Sequence, residues 1–254
     1  MSALGSLAWV DLKLWLRNVI ATFFTFVFPV LMILLFGAMY GNAPTETGAP
    51  GTMDRAVPGY VVALVIGSVA FMGLPLELVS RRQTGVLRRF RLTPVAACTP
   101  LVSLVVVNLV VCIIATAVLV ATGAVAWRAG LPSSPLLLMP AFLLCAASLF
   151  AVGVLIASVV RSTRGALAVG MALFYPMMFL SGGTIPVDYL PSSLRAVTPF
   201  LPMSWAVRLL SGVWLGSGWD LASTGVLALV LAVCAAGALL LTRTEYEHRR
   251  HAVV

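Results

Sequence analysis

The sequence predicts an all-α integral membrane protein, and three observations carry that prediction. Of its 254 residues, 61% are hydrophobic and only 9% charged, against about 25% charged in an ordinary soluble domain. Six charge-free stretches are each long enough for the roughly 20 helical residues that cross a bilayer. The positive charges, which give a formal net of +8, collect between those stretches. A basic balance can signal a nucleic-acid partner, but clusters set between apolar runs are a mark of membrane topology, so no nucleic acid is expected. Helices follow because backbone polar groups in hydrocarbon must be satisfied internally. The alternating pattern of a membrane barrel is absent.

The chain opens with LAWVDLKLWLRNVI at 7–20. On a helical wheel Trp9, Leu12, Trp15, Leu16 and Val19 share one face, and Ser6, Lys13 and Arg17 share another. This reads as an interfacial helix over 2–18, with tryptophans at headgroup depth and cations toward water. An ordinary basic leader before a first span is the alternative. The first span, 19–41, is too long for the apolar core of a signal peptide and is read as retained. The second, 56–79, is charge-free as far as Leu76 and then meets Glu77. An acid at membrane depth is a functional hypothesis by default. Glu77, however, precedes Arg81 by four residues, the spacing of a helical ion pair.

The segment 80–94 follows and contains five arginines, Arg81, Arg82, Arg88, Arg89 and Arg91. Thr84 can cap a short helix and Pro94 can end it. Val86, Leu87 and Phe90 then fall on one face, flanked by Arg88, Arg89 and Arg91. Holding the loop inside the cell accounts for the arginines, whose stems can snorkel. It leaves the compact apolar face unexplained, and an apolar triplet rimmed with arginines fits a plug for a pocket on a partner protein.

Pro94 and Pro100 place the start of the third span outside the helix, giving 101–126. The fourth and fifth spans, 135–160 and 165–184, are separated by a tight turn between Arg161 and Arg164 and should be antiparallel neighbours. The segment 185–216 is too apolar for a solvated loop, and this stretch of chain is broken at Gly182, Gly183, Pro186, Pro191, Pro199 and Pro202. Leu201, Trp205 and Leu209 can share a face, with Arg208 beside it. Short re-entrant helices or a helix lying flat on the surface would both fit. The sixth span is 221–242.

Of the 16 Lys and Arg residues, twelve fall on one side of this topology: Lys13, Arg17, the five loop arginines, Arg161, Arg164, Arg243, Arg249 and Arg250. Arg55, Arg128, Arg195 and Arg208 fall on the other. The positive-inside rule then places both termini and the segment 80–94 in the cytoplasm.

Several chemistries find no support. There is no phosphate-binding G-x-x-x-x-G-K motif, and the one lysine is Lys13. The two histidines, His248 and His251, lie in the tail, away from any serine in a span. No pair of aspartates sits in facing spans, and HExxH is missing. Cys98, Cys112, Cys145 and Cys234 lack metal spacing and read as small buried thiols.

Four features together resemble the permeases of type-2 ATP-binding-cassette exporters. An amphipathic helix precedes the first span, and six spans have both ends inside. The loop SRRQTGVLRRFRLTPV, 80–95, resembles the family's run of charged residues, then glycine, Thr or Val and Leu, then an Arg–Phe pair two residues before Thr–Pro. The segment FLSGGTIPVDYLPSSLRAVTPFLPMSWAVRLL, 179–210, is similar to the family's Ser–Gly and proline-rich stretch after span five. Gln83 departs from the acidic residue that many relatives carry there.

The resemblance implies a dimer of six-span subunits, with an identical or a related second permease chain, each resting on a separate ATPase subunit. ATP and Mg would be held by that subunit, and this chain would bind no cofactor or metal and catalyse nothing itself. Gly85, Val86, Leu87, Arg88, Arg89 and Phe90 would form the coupling helix. Gly182, Gly183, Pro186 and Trp205 would belong to an outer gate. Tyr175, Met178 and Phe179 are candidate pathway residues or plain helix packing; Met177 lies beside them. The substrate would be an amphiphilic drug, antibiotic or lipid, and the arginine-rich coding fits a bacterial source. A secondary transporter or channel, an intramembrane enzyme and a non-transporting assembly factor are the competing classes.

Overall fold

The computed structural model describes residues 9, 11–13, 15, 22–41, 51–84, 99–184 and 190–251, and of 242–251 the backbone alone. No strand occurs among the described residues. Among these residues six helices are long and apolar enough to cross a bilayer: α1 (Phe23–Tyr40), α2 (Thr52–Gln83), α3 (Thr99–Trp127), α4 (Pro135–Val159), α5 (Thr163–Leu180) and α8 (Leu221–His251), the last apolar over Leu221–Leu241. Between α5 and α8 lie the single turn α6 (Ser192–Arg195), a 3-10 turn Thr198–Phe200, and α7 (Pro202–Trp214). The 13 residues of α7 rise only about 20 Å, short of the ~30 Å hydrocarbon core.

The third helix starts earlier than its prolines suggest. Pro100 already lies within the helix, whose described part runs from Thr99. Thr84 closes α2, and its hydroxyl donates to the Ser80 carbonyl at 2.9 Å; the short helix that it is expected to cap lies outside the described residues.

Helix α2 is the axis of the bundle. In its most apolar stretch 78% of residues are buried within the chain, against 22% for α1 and α5 and 17% for α8. The periphery is therefore left to face lipid or protein, and the centre is α2. Hydrocarbon gives helices no hydrophobic reason to associate, so close packing and internal hydrogen bonds must hold the bundle. Small residues supply that closeness. Gly153 of α4 and Gly170 of α5 press on the carbonyl oxygens of Ala70 and Phe71, and a Cβ at either glycine would overlap them. Both carbonyls lie in Val69–Gly73, one of two π-helical stretches in α2. The other, Val61–Ile66, follows directly on the helix-interior Pro58. Such wider turns depart from the regular i→i+4 ladder.

At one end of the bundle Asp54 opens α2 and accepts from Gly51 N at 2.9 Å and from Gly130 N at 2.7 Å, tying α2 to the α3–α4 connection. Ser133 N donates to the Trp214 carbonyl at 3.0 Å, which fixes α7 to the same connection. The other end carries the close of α2, the α4–α5 turn and the start of α3. There Ser162 caps α5 by accepting from Gly165 N at 3.1 Å.

Candidate functional site

The six residues of the expected coupling helix, Gly85, Val86, Leu87, Arg88, Arg89 and Phe90, lie outside the described residues, as do Leu16 and Pro186. What is described is the frame on which that loop is mounted. Its first stem is the last turn of α2, Ser80–Gln83, and its second is the first turn of α3 from Thr99.

Arg81 occupies the centre of the first stem. Its Nη2 lies 2.6 Å from Glu77 Oε1, which is the pair the four-residue spacing foretold. The same nitrogen lies 2.9 Å from Asp11 Oδ1, and Nη1 donates to Asp11 Oδ2 at 3.2 Å. Ser103 Oγ of α3 donates to Asp11 Oδ2 at 2.9 Å. Asp11 is buried, so Glu77 is not the lone acid at this depth. Sequence reasoning missed Asp11 and Ser103. The available signal was an acid between two apolar neighbours in a segment otherwise read as basic and amphipathic.

The described residues of the N-terminal segment, 9, 11–13 and 15, are helical. Trp15 is buried against Val107 and Val111 of α3, with its ring 5.9 Å from that of Phe26. Leu12 is half-buried beside it. Trp9 is exposed, with the Lys13 ammonium 5.2 Å from its ring centroid, an ordinary cation–π distance. The expected apolar face therefore divides, with Trp15 turned to α3 and Trp9 turned outward.

Gln83 Nε2 donates to the Arg161 carbonyl at 3.1 Å and joins the loop's first stem to the α4–α5 turn. The amide in place of an acidic residue thus has a role that a carboxylate cannot fill, since a carboxylate has no N–H to donate. Gln83→Glu is expected to loosen this junction. Hydrogen exchange at the backbone N–H of Gly165 and Ala166 should rise, with little change in overall stability.

The candidate pathway residues do not share one face. Tyr175 and Phe179, one turn apart on α5, are exposed, whereas Met178 is buried in the core. The Met178 carbonyl accepts from Thr184 Oγ1 at 2.9 Å and from Ser181 Oγ at 3.3 Å, fixing the turn that leaves α5. Gly182 follows with φ 79°, a left-handed conformation that favours glycine. Gly183 then lies against Gly59 of α2, where an added Cβ on Gly59 would come within 2.5 Å of the Gly183 carbonyl oxygen. These two glycines let the chain cross α2 at contact distance.

Helix α7 turns Met203, Ala206, Leu209, Leu210 and Val213 into the bundle. The Cys145 thiol of α4 reaches the Ala206 carbonyl at 3.6 Å, and Met203 lies over Gly67 of α2. Trp205 is half-buried; its Nε1–H donates to the Pro199 carbonyl at 2.7 Å, and the Arg208 guanidinium stands 5.0 Å from its ring centroid. At the head of α8 the Ser223 hydroxyl, with the Ala222 N–H, hydrogen-bonds the Asp220 carboxylate and holds its pKa below the usual range. No group of three or more His, Cys, Asp or Glu residues arranged to hold a metal ion occurs among the described residues.

Comparison with known proteins is consistent with this geometry. The family described as ABC-2 type transporter matches residues 2–215. The chain is 24% identical over 226 residues to a protein named probable doxorubicin resistance ABC transporter permease protein DrrC from Mycobacterium tuberculosis, in two strains, covering 87% of this chain and 79% of each relative.

Proposed function

Because the chain belongs to the ABC-2 type transporter family, we propose that it is the membrane half of an exporter driven by a separate ATPase subunit and paired with a second permease chain. As a member it is a multi-pass membrane permease of an ABC exporter. The observation that carries the finer reading is the mounting of the segment 80–94. It springs from α2, the most buried helix, so that force applied to it enters the centre of the bundle. Arginines flank Val86, Leu87 and Phe90 in the sequence, which suits a plug for a cleft on the ATPase. The twelve-to-four partition of Lys and Arg supports placing this segment and both termini in the cytoplasm. ATP and Mg belong to the partner in this reading.

The substrate class we infer is an amphiphilic drug, antibiotic or lipid. The apolar walls of the spans support this, and the relative's printed name points to one such compound, doxorubicin. Tyr175 and Phe179, on the exposed face of α5, are the proposed pathway residues, with Met178 behind them. Gly182, Gly183, Pro186 and Trp205 are proposed to shape the exit, where α7 forms a short re-entrant element.

Inverted vesicles from cells expressing the chain with its ATPase are expected to accumulate doxorubicin in an ATP-dependent way. Leu87→Asp or Phe90→Asp should abolish that accumulation, because each puts a charge where an apolar anchor must be desolvated. Both variants should remain in the membrane fraction in wild-type amount. ATP-dependent uptake retained in both variants would contradict the coupling role.

A further inference from the structure

The contacts of Asp11 cross the chain in an arrangement that the proposed function does not require. The segment 85–98 joins the end of α2 to α3, and one carboxylate holds both of these stems. Asp11 Oδ1 and Oδ2 face Arg81 on the closing turn of α2 at 2.9 and 3.2 Å. Asp11 Oδ2 also accepts from Ser103 on the opening turns of α3 at 2.9 Å. Glu77 Oε1 meets the same Arg81 Nη2 that faces Asp11 Oδ1. Asn108, one turn beyond Leu104 on α3, donates to the Leu104 carbonyl at 2.9 Å and is fully buried.

We propose that Asp11 is a positioning residue for coupling: it straps together the two stems from which the loop 85–98 springs. The proposal rests on the reading of that loop as the contact with the ATPase. Two antiparallel stems joined only by a loop can spread when the loop is pushed, and the push is then spent in bending. A shared carboxylate resists spreading because separation would leave it buried without partners. Trp15, seated against Val107 and Val111 of α3, holds the strap in place. The N-terminal segment thereby becomes part of the apparatus that carries movement into α2 and α3.

The test uses the permease with its ATPase in proteoliposomes, on a background lacking the native cysteines. Thr84→Cys and Leu101→Cys, both exposed positions, carry a nitroxide pair across the stems. The native strap should give a single narrow distance distribution, Asp11→Asn a broad one, and Asp11→Glu a narrow one again. Ser103→Ala, which removes the carboxylate's hydrogen bond to α3 and leaves Trp15 seated on that helix, should fall between. Doxorubicin moved per ATP hydrolysed should drop about tenfold, the scale of an ordinary coupling free energy, in Asp11→Asn and recover in Asp11→Glu. Lost packing alone would lower the amount of protein and leave that ratio unchanged. An unaltered narrow distribution in Asp11→Asn, or a broad one with transport per ATP unchanged, would overturn the proposal. If the wild-type complex shows no ATP-driven transport, the proposed function fails, and the stem distance in the permease alone still decides the strap.

Discussion

Replacing Gly153 or Gly170 by leucine is expected to eliminate the folded permease. Each glycine meets a backbone carbonyl of α2, at Ala70 and Phe71, with no room for a Cβ. Overpacking against side chains costs about 1–3 kcal/mol because neighbours can rotate aside. A carbonyl inside the central helix cannot rotate aside, so α4 or α5 must move away from α2 as a body. That separation removes the dispersion contacts and Cα–H···O approaches which, in lipid, are the main forces holding helices together. Loss of the monodisperse peak in detergent size-exclusion chromatography is the expected readout for both leucine variants. The alanine variants should be recovered with a lowered thermal midpoint. Gly225 on α8, where an added Cβ would meet nothing within 4 Å, is the control: Gly225→Ala should elute and melt as wild type. A wild-type midpoint for Gly153→Leu would mean that α4 does not pack on α2 as described.

Arg81→Met is the second large effect. It leaves the Asp11 and Glu77 carboxylates side by side, Asp11 buried and Glu77 partly so, with their shared cation gone. Removing one partner of a buried ion pair costs about 3–5 kcal/mol, chiefly through the uncompensated charge left behind. Neutralising all three positions together, as Arg81→Met with Asp11→Asn and Glu77→Gln, should recover most of that loss, since no bare charge remains. Chemical unfolding in mild detergent, read by intrinsic tryptophan fluorescence, would show the single variant well below the triple. Equal stability of the two would mean that the uncompensated charge is not what Arg81→Met costs. Stability and coupling then separate cleanly. The triple variant is expected to fold and yet to lack the strap between the loop's stems.

Much of the architecture can be read from the sequence because membrane spans are the strongest signal a sequence carries. Six apolar runs and their flanking charges are local properties, and six matching helices follow. Helix ends are less legible. Pro100 reads as a boundary, yet the chain is already helical there, and Thr84 hydrogen-bonds back onto the last turn of α2. The Glu77–Arg81 pair is visible because both partners lie on one helix. Asp11 joins Arg81 across 70 positions and Ser103 across 92, and no spacing rule reaches that far. The same holds for Gly153 and Gly170. A glycine inside a span is unremarkable until the helix beside it is known. Tyr175, Met178 and Phe179 are close along the chain, but the turn of α5 separates Met178 from the other two.

The central claim is that this permease is worked by a separate ATPase through the loop carrying Leu87 and Phe90. The most direct measurement is affinity purification of the tagged chain from its native membrane in mild detergent, beside the Leu87→Asp, Phe90→Asp double variant, with mass identification of the proteins recovered. The account predicts an ATP-binding-cassette ATPase subunit recovered with the wild type and lost with the double variant. Recovery of the ATPase in equal amount with both would contradict the docking role of the loop, and its absence from the wild-type sample across several mild detergents would contradict the separate-subunit exporter itself.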